Sequence, residues 1–367
     1  MGDSVNLGII GCGKVAQLHA RAISRLEGVE LSGVWSRTPK TAEVFAHQYD
    51  ARSYSDISDM IRQGQIDLVI ICTPHPFHAA AGVEAASAGA HVLVEKPLAA
   101  SLSDAREIIK SCQESRVKLG VISQRRWYEP AIRVKEAIER GTIGKPVLAT
   151  VSLLGWRDEH YYQADEWRGT WDMEGGGVLV NQAPHQLDLL LWYMGDIEEV
   201  YGSWHNLNHP YIEVDDTALA IVKFRNGGMG NIVLSNSQNP GIHGKVHIHG
   251  SNGASIGVQT EGGSMFIAGS SEIEQAPYND LWTIPGDQAK LKGWVEKDRE
   301  VFFQHNPTIE YIRRQIGDFV DAIRDNRSPS VTGEDGLKVV ELFTAIYRSS
   351  KEHSPIAFPL PADFTKT

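Results

Sequence analysis

The sequence predicts an α/β protein in which a doubly wound parallel sheet is followed by an α+β domain with a large, mostly antiparallel open sheet. Three observations support this. The chain has 367 residues, enough for two domains. Up to about residue 125, continuous apolar runs alternate with helical patterns, as in parallel sheets covered on both faces. Later runs alternate apolar with polar residues and meet at Gly- and Asn-rich turns. We therefore predict one domain over residues 1–125 and a second over 126–367.

The individual elements follow from the spacing of the apolar residues. In the first domain the predicted strands are 5–10, 29–35, 68–72, 92–94 and 117–122, and the predicted helices are 16–26, 40–47, 57–62, 78–88 and 103–115. The second domain begins with a helix that ends at Gly141. Its further predicted strands are 147–154, 197–204, 217–224, 230–234 and 245–249, and its helices are 187–193, 308–324 and 336–350. We assign no element between 262 and 297.

Composition excludes several classes of partner. The formal net charge of -11 disfavours binding to nucleic acid or to an anionic membrane, which attract clustered Lys and Arg. No apolar run approaches the roughly 18 residues needed to cross a bilayer. The N-terminus lacks signal-peptide features, and Asn6 stands where a myristoylation site needs Ser or Thr. Three widely spaced cysteines indicate reduced thiols. We expect a cytoplasmic protein.

A glycine-rich turn follows the first predicted strand. Gly11, Gly13 and Ala16 form a G-x-G-x-x-A motif at the start of a helix. The first glycine permits the tight turn, the second lets the backbone approach a pyrophosphate, and the alanine allows close packing of helix on strand. The helix N-terminus supplies unpaired N–H groups to the phosphates. We predict that this turn binds a dinucleotide through the residues Gly11, Cys12, Gly13, Lys14 and Val15.

The end of the second strand bears on which dinucleotide is bound. NAD sites usually place a carboxylate there for the ribose 2′-hydroxyl, whereas this chain has Ser36 and Arg37. Ser36 can hydrogen-bond a 2′-phosphate and Arg37 can neutralise it. Alternatively, Arg37 stacks over the adenine or is solvated. We therefore expect NAD(P), with NADP slightly favoured over NAD.

Two further segments lie at strand ends on the predicted ligand-binding edge of the sheet. Thr73 and Pro74 end one strand and His78 starts the next helix, so we place all three beside the cofactor. Glu95 and Lys96 follow the strand 92–94, and Pro97 stops it. We expect both charged residues next to the nicotinamide, and we include Gln124 among the cofactor-binding residues. The alternative for Glu95 and Lys96 is a surface ion pair in a loop.

In the second domain, a triple glycine leads into a helix that carries His185. Asn181 is a candidate N-cap for this helix, and Pro184 is tolerated in its first turn. Asn181 and His185 could face one pocket, although each also has a purely structural interpretation. His247 and His249 lie on one face of a predicted strand, but no further ligand is evident. We assign no metal.

Taken together, the motifs "GCGKVA", "CTPHPFH", "EKP" and "GGGVLVNQAPHQLD" resemble the Gfo/Idh/MocA family of oxidoreductases, over essentially the whole chain. The resemblance implies an N-terminal Rossmann domain, and a second domain whose open sheet commonly forms an oligomer interface, here in a homodimer or homotetramer. It implies that Lys96 is catalytic. Where the family often has an aspartate four residues before the histidine, this chain has Asn181. An amide cannot act as a general base, which leaves Lys96 and His185 as proton-handling candidates.

The segment before the triple glycine is rich in aromatic and cationic side chains, which suit a polyhydroxylated ring. We predict that the substrate contacts Arg157, Tyr162, Arg168, Trp171, Asn181 and His185, together with Lys96. His160 and Tyr161 belong to the same stretch. Trp167 and Trp171 could instead pack the domain junction. Similar segments in relatives favour a carbohydrate substrate.

We predict an NAD(P)-dependent dehydrogenase that oxidises a secondary hydroxyl of a sugar, glycoside or polyol. For Lys96 to act as the base, its pKa must fall by about three units, or roughly 4 kcal/mol, and burial beside an oxidised nicotinamide could supply this. Glu95 would oppose that shift if it pointed at Lys96, so we assign it to positioning. The alternatives are reduction of a keto-sugar, a glycoside-oxidising enzyme with tightly held cofactor, and a nucleotide-sensing regulator without turnover.

Overall fold

The computed structural model describes residues 4–260 and 273–365. The chain forms two compact units. The first comprises Met1–Gln124 with Thr308–Val340, and the second comprises Arg125–Pro307 with Glu341–Thr367. Each unit is built around its own sheet, as the predicted fold class requires.

The first unit contains a six-stranded sheet with the order β3-β2-β1-β4-β5-β6 and only parallel pairings. Along the chain its elements are β1 (Val5–Ile10), α1 (Lys14–Ile23), β2 (Val29–Trp35), α2 (Pro39–Tyr49), β3 (Arg52–Tyr54), α3 (Ile57–Gly64), β4 (Leu68–Ile71), α4 (His78–Ser87), β5 (His91–Val94), α5 (Leu102–Glu114) and β6 (Leu119–Val121). The central strands β1, β4 and β5 are almost wholly buried apolar runs, so the predicted doubly wound parallel sheet is confirmed.

The second unit contains a seven-stranded sheet with the order β12-β11-β7-β10-β9-β8-β13. The pair β10 and β7 is parallel and the other pairs are antiparallel, as predicted for a mostly antiparallel sheet. The elements that follow β6 along the chain are α6 (Glu129–Glu139), β7 (Pro146–Trp156), α7 (Glu159–Gln163), α8 (Pro184–Met194), β8 (Ile197–His205), β9 (Thr217–Phe224), β10 (Met229–Ser235), β11 (Ser237–Gly250), β12 (Ser255–Gln259), α9 (Gln288–Phe303), α10 (Pro307–Arg324), α11 (Gly333–Glu352) and β13 (Ile356–Ala357).

Helix α10 packs in the first unit although the second unit precedes it in the chain. Its apolar residues recur at helical spacing and join the core beside β1 and α1; they are Ile309, Ile312, Ile316, Phe319 and Val320. In addition, Gln315 donates to the carbonyl of Val121 and accepts from the N–H of Ser123. The sequence prediction placed all of 126–367 in one domain, because an amphipathic stripe does not reveal which sheet it covers.

Elements absent from the prediction are short or lack an apolar stripe. Strand β3 has three residues and α7 has five. Helix α9 begins within the unassigned stretch 262–297. It buries only Asp298 and Phe302, so its sequence shows no helical hydrophobic period. Residues 262–272 of that stretch lie outside the described part of the chain.

One face of the second sheet packs against α8, while the other carries exposed side chains. We call this second surface the open face, defined by the residues Leu148, Tyr201, Leu219, Ile221 and Met229, which the strand pairings place side by side.

Within residues 4–260 and 273–365, no helix is long and apolar enough to cross a membrane. The same residues hold no group of three or more side chains arranged to bind a metal ion.

Candidate functional site

The turn between β1 and α1 contains two glycines, Gly11 and Gly13, which differ in the space available for a Cβ atom. Gly11 has a φ of +95°, and a Cβ there would lie 2.9 Å from the backbone of Cys72 and Thr73. A Cβ on Gly13 would meet no atom within 4 Å. The first glycine is therefore needed by the fold itself. The second leaves open space beside the backbone, which is what close approach of a pyrophosphate requires.

The N-terminus of α1 is suited to an anion. Gly13 is its N-cap, no side chain caps it, and its first turn contains no acidic residue. Lys14 is exposed there and Val15 is half-buried. The Cys12 thiol lies 3.6 Å from the carbonyl oxygen of Trp35, and burial raises its pKa to about 12, so it remains a protonated thiol.

Beyond β2 the chain presents Ser36, which is half-buried, and Arg37, which is exposed. The Arg37 guanidinium lies 6.0 Å from the ring of Phe77. Neither Ser36 nor Arg37 offers the carboxylate that a ribose 2′-hydroxyl usually meets at this position.

Polar atoms without partners lie along the carboxyl edge of the first sheet. Thr73 Oγ1, after β4, and Gln124 Oε1, after β6, are buried and have no hydrogen-bond partner among the described residues. Unsatisfied buried polar atoms are uncommon, and a ligand is one way to satisfy them. With the glycine turn, they fit a dinucleotide bound across this edge.

His78 is fully buried and connects two loops at the same edge. Its Nδ1 lies 2.9 Å from the Pro97 carbonyl oxygen and its Nε2 lies 2.8 Å from that of Thr73. Burial lowers the pKa of His78, and the two carbonyls and Glu95 only partly offset this. Because both ring nitrogens face backbone oxygens, His78 positions Thr73 and the neighbouring half-buried Pro74 rather than offering a free nitrogen to a cofactor.

Glu95 emerges from β5 and is held by the first helix. Its Oε1 lies 2.7 Å from Nε2 of His19, a fully buried residue of α1, and its Oε2 accepts from the backbone N–H of Lys96 at 3.0 Å. Burial raises the pKa of the Glu95 carboxyl, but the hydrogen bond from His19 and the charge of Lys96 outweigh burial and lower it. Glu95 is therefore an ionised group beside the half-buried Lys96.

In the second unit, Asp215 holds the triple-glycine turn. It accepts from the N–H groups of Gly177 and Leu179 at 2.7 and 2.9 Å. A Cβ on Gly177 would lie 1.8 Å from the Asp215 carbonyl oxygen, so the turn cannot form with any other residue there. Burial raises the pKa of the Asp215 carboxyl to about 6, against the opposing effect of these hydrogen bonds and the one from Tyr347.

The prediction that Asn181 caps the helix is wrong. Asn181 lies within a π-helical turn, Val178–Gln182, and the N-cap of α8 is Ala183 without a side-chain cap. Its amide nitrogen instead donates to Glu174 Oε1 at 2.5 Å and to the Tyr161 hydroxyl at 3.2 Å. The wide turn aims the side chain at this buried network rather than along the helix axis. His185, in the first turn of α8, is 8% exposed.

Two arginines lie against the ring of Tyr161. The guanidinium carbons of Arg168 and Arg157 lie 3.9 and 5.2 Å from the ring centroid. Arg168 also pairs with Asp165 at 3.0 Å, and Arg157 donates to the carbonyl of Trp156 at 2.7 Å. One nitrogen of each, Arg168 Nη1 and Arg157 Nε, is buried without a hydrogen-bond partner among the described residues. Each arginine therefore has a buried N–H group that no described residue satisfies.

The aromatic residues of this segment divide between packing and polar contacts. Tyr162 is buried, and its hydroxyl lies 3.4 Å from the amide nitrogen of Asn236. Trp171 is half-buried, with its ring edge-on to Trp204 and Tyr347 at 5.3 and 5.4 Å between centroids. Trp171 therefore packs within the second unit, whereas His160 is exposed.

Three residues that the sequence did not single out support these groups. They are His19, Glu174 and Asp215. Each is buried and holds a predicted site residue or its turn. A signal was available for His19, which lies on the otherwise apolar face of α1 with Ala16, Ala20 and Ile23. Glu174 directly precedes the triple glycine, but nothing in the sequence distinguishes it from a surface carboxylate.

Two family models match this chain. One, described as an oxidoreductase family with an NAD-binding Rossmann fold, matches residues 5–123, and the other, the GFO/IDH/MocA C-terminal domain, matches residues 131–256. Together they cover more than half of the chain.

Solved structures and curated proteins agree with the family models. The crystal structure of the WlbA dehydrogenase from Bordetella pertussis in complex with NADH and UDP-GlcNAcA is 30% identical with a TM-score of 0.85, covering 98% of this chain and 99% of that one. The myo-inositol 2-dehydrogenase of Thermotoga maritima is 24% identical over 95% of this chain and 97% of its own length. The scyllo-inositol 2-dehydrogenase (NADP(+)) IolW of Bacillus subtilis is 24% identical over 96% of each.

Proposed function

Since the chain belongs to the Gfo/Idh/MocA oxidoreductase family, we propose that it is an NAD(P)-dependent dehydrogenase that oxidises a secondary hydroxyl of a sugar, glycoside or polyol. The observation that carries the proposal is the carboxyl edge of the first sheet. There an open glycine turn, two buried polar atoms without a partner among residues 4–260 and 273–365, and an ionised Glu95 beside Lys96 occur together. A helix N-terminus and these polar atoms suit a dinucleotide, and groups with shifted pKa values such as Glu95 are concentrated at functional sites.

The chain's own residues would hold the dinucleotide along this edge. The N–H groups of residues 12–15 would bind the pyrophosphate, since the N–H of Gly11 donates to the Trp35 carbonyl at 2.8 Å. Thr73 and Gln124 would supply hydrogen bonds at the ends of β4 and β6. When bound, the nicotinamide would supply the hydride acceptor for oxidation of the carbinol carbon. Protein side chains must orient the alcohol and remove its proton.

Lys96 and His185 have different roles toward the substrate hydroxyl. The carboxylate of Glu95 attracts the Lys96 ammonium and so opposes its deprotonation. Lys96 therefore donates a hydrogen bond to the substrate oxygen, and His185 takes the proton as the C–O bond becomes a carbonyl. An imidazole suits that role at neutral pH without any large shift in its pKa.

The test compares Lys96→Ala and His185→Ala with Lys110→Ala, a control at an exposed lysine on α5. NADH or NADPH formation is followed at 340 nm with a panel of polyols and sugars. Both site variants should lose at least about a hundredfold in kcat while the dinucleotide dissociation constant stays within twofold. Only His185→Ala should remove the acidic limb of the pH profile. Full turnover by Lys96→Ala would contradict the assignment.

Sugar acids form a second candidate class of substrate. It is favoured by the nitrogens of Arg157 and Arg168 that have no hydrogen-bond partner in the described part of the chain. Guanidinium groups match carboxylates in charge and geometry. The Bordetella relative was solved with UDP-GlcNAcA, which carries a carboxylate. Comparing UDP-GlcNAcA with UDP-GlcNAc, and glucuronate with glucose, isolates that group. Preference for the acids should disappear in Arg168→Met. If the wild-type protein oxidises both members of each pair at equal rates, sugar acids are not its preferred substrates.

Cofactor choice rests on Arg37. The end of β2 has no carboxylate to exclude a 2′-phosphate, and Arg37 is exposed there, which favours NADP. Among the relatives, one name specifies NADP(+) and one structure contains NADH. Arg37→Ala should weaken NADP binding about tenfold more than NAD binding, while Arg62→Ala, at an exposed arginine on α3, should affect neither. Equal losses for NADP and NAD would remove the preference.

The same assays distinguish the alternatives of direction and class. A keto-sugar reductase would turn over ketones with reduced cofactor faster than the matching alcohols. An enzyme with tightly held cofactor would show nucleotide absorbance after purification and extensive dialysis. A nucleotide-sensing regulator would bind NAD or NADP and turn over no member of the panel in either direction.

Self-association through the open face completes the proposal. Ile221 is 51% exposed and Leu219 50%, so the centre of a sheet presents apolar side chains to solvent. Surfaces of this kind mark protein interfaces, and a homodimer or homotetramer would cover it. Ile221→Lys should lower the mass measured by light scattering to that of a monomer. Leu207→Lys, at an exposed leucine outside the sheet, should not. A monomeric wild-type protein would refute this part.

A further inference from the structure

We propose that His19 is a positioning residue for the reaction: from helix α1 it holds the carboxylate of Glu95 in place, so that a negative charge is fixed beside Lys96. This inference rests on the proposed function, because it takes Lys96 to contact the substrate hydroxyl. It goes beyond that function by giving a role to a fully buried residue of the first helix, which acts through Glu95 rather than on the substrate.

His19 is a polar side chain on an otherwise apolar helix face. It is fully buried and lies on α1 with the buried residues Ala16, Ala20 and Ile23. Burying an imidazole among aliphatic side chains costs free energy unless the ring forms hydrogen bonds. A leucine could pack at such a position without that cost. The contact with Glu95 therefore accounts for a histidine at this position.

The carboxylate of Glu95 is held at both oxygens. Its Oε1 lies 2.7 Å from Nε2 of His19, and its Oε2 accepts from the backbone N–H of Lys96 at 3.0 Å. The Glu95 side chain is 13% exposed, so water solvates it only in part. These contacts run from α1 through Glu95 to the backbone of Lys96. The hydrogen bond from His19 thereby fixes where the charge of Glu95 lies relative to Lys96.

These contacts also keep Glu95 ionised. Burial raises the pKa of its carboxyl, but the hydrogen bond from His19 and the charge of Lys96 outweigh burial and lower it. Two other titratable groups respond to the charge of Glu95. They are Cys72, whose thiol pKa is raised by burial, and His78, whose imidazole pKa is lowered by burial. Both are therefore uncharged at neutral pH, and neither can replace the hydrogen bond from His19 with a positive charge.

The charge of Glu95 has a consequence for the reaction. A carboxylate beside an ammonium group attracts it and favours its charged form. In the proposed reaction Lys96 donates a hydrogen bond to the substrate oxygen, so its ammonium group must stay protonated and in place. Because the pKa of Glu95 is lowered, this attraction is present at neutral pH and is lost as the pH falls through the lowered value. Removing His19 should move that loss to higher pH.

Three variants test the inference by turnover, with His47→Leu at an exposed histidine on α2 as the matched control. His19→Leu removes the hydrogen bond, and its loss of kcat relative to wild type should be at least about threefold larger at pH 6 than at pH 9. His19→Gln keeps an N–H donor and should stay within about threefold of wild type at both pH values. Glu95→Gln removes the charge and should lower kcat by a factor that does not change with pH. A loss of packing alone would not depend on pH in this way.

A second readout requires no substrate. Reductive methylation with formaldehyde and cyanoborohydride at pH 7 is followed by mass spectrometry, comparing Lys96 with Lys110, an exposed lysine on α5. Only the uncharged amine reacts. Loss of the charge of Glu95 should therefore speed methylation of Lys96 at least about threefold in Glu95→Gln and in His19→Leu, but not in His19→Gln.

The two readouts separate this inference from the proposed function. Faster methylation of Lys96 in His19→Leu, together with a turnover defect that grows in acid, supports the inference. Methylation at the wild-type rate, or an equal defect at pH 6 and pH 9, would overturn it even if the variant is less stable. Wild-type protein that oxidises no alcohol would refute the proposed function, and methylation would still decide whether His19 controls the charge beside Lys96.

Discussion

Replacing His19 with leucine removes the partner of a nearly buried carboxylate. The imidazole of His19 is fully buried, the Glu95 side chain is 13% exposed, and the two meet at 2.7 Å through Nε2. Nδ1 of His19 has no hydrogen-bond partner among the described residues. The Nε2–H group of His19 therefore donates to Glu95.

The magnitude follows from this geometry. A hydrogen bond to a charged group contributes about 1.5–3 kcal/mol, and leaving a buried ionised partner unpaired costs more, about 3–5 kcal/mol. Because Glu95 retains some solvent contact, we expect His19→Leu to destabilise the protein by about 2–3 kcal/mol. His19→Gln, whose amide nitrogen can reach the position of Nε2, should cost less than about 1 kcal/mol.

The assay is a double-mutant cycle of His19→Leu and Glu95→Gln, measured by urea unfolding at pH 7 with unchanged m-values. The coupling energy should be at least about 1.5 kcal/mol. Glu95 has a lowered pKa, so the stability it contributes is present above the ordinary carboxyl pKa and is lost as the pH falls through the lowered value. The coupling should therefore shrink in acid. Additive effects at pH 7 would refute the reasoning.

Three further predictions concern the glycine turns and the buried carboxyls. Gly13→Ala should fold with wild-type stability but weaken dinucleotide binding at least about tenfold, whereas Gly11→Ala should lower the melting temperature, because only the latter Cβ strikes backbone. Gly177→Ala should abolish turnover while dinucleotide titration remains normal, since its Cβ would overlap the Asp215 carbonyl; wild-type kcat would contradict this. Glu174 and Asp215 have raised pKa values of about 7 and about 6, so the stability that their protonation confers is lost as the pH rises through them. The unfolding free energy should fall between pH 5 and 8, and Glu174→Gln should reduce that fall by up to about 3 kcal/mol; an unchanged slope would argue against it.

The parts of the fold that sequence reasoning predicted are those set by local chemistry. The Gly11 turn needs a positive φ, the strand that ends before Glu95 is a continuous apolar run, and both facts are visible within a few residues. The partners of these elements could not be predicted, because they join distant positions. His19 meets Glu95 across 76 residues, and Asp215 reaches the Gly177 turn across 38.

The site residues show the same division. Lys96 and Arg37 follow strands whose ends were predictable from apolar runs. Asn181 was misassigned as a cap because a residue just before a helix ordinarily caps it, whereas a π-helical turn redirects this one toward Glu174. The spacing of residues in the sequence does not show where an α-helical turn widens into a π-helical one.

The packing of α10 onto the first sheet bears on how the protein is made. During synthesis, residues 1–124 leave the ribosome long before Thr308–Val340, yet they share one apolar core. The apolar surface of residues 1–124 that α10 covers in the folded protein therefore stays exposed while nearly two hundred intervening residues are translated. Chaperone dependence, and aggregation of fragments released before α10 has emerged, are the expected signs of this delay.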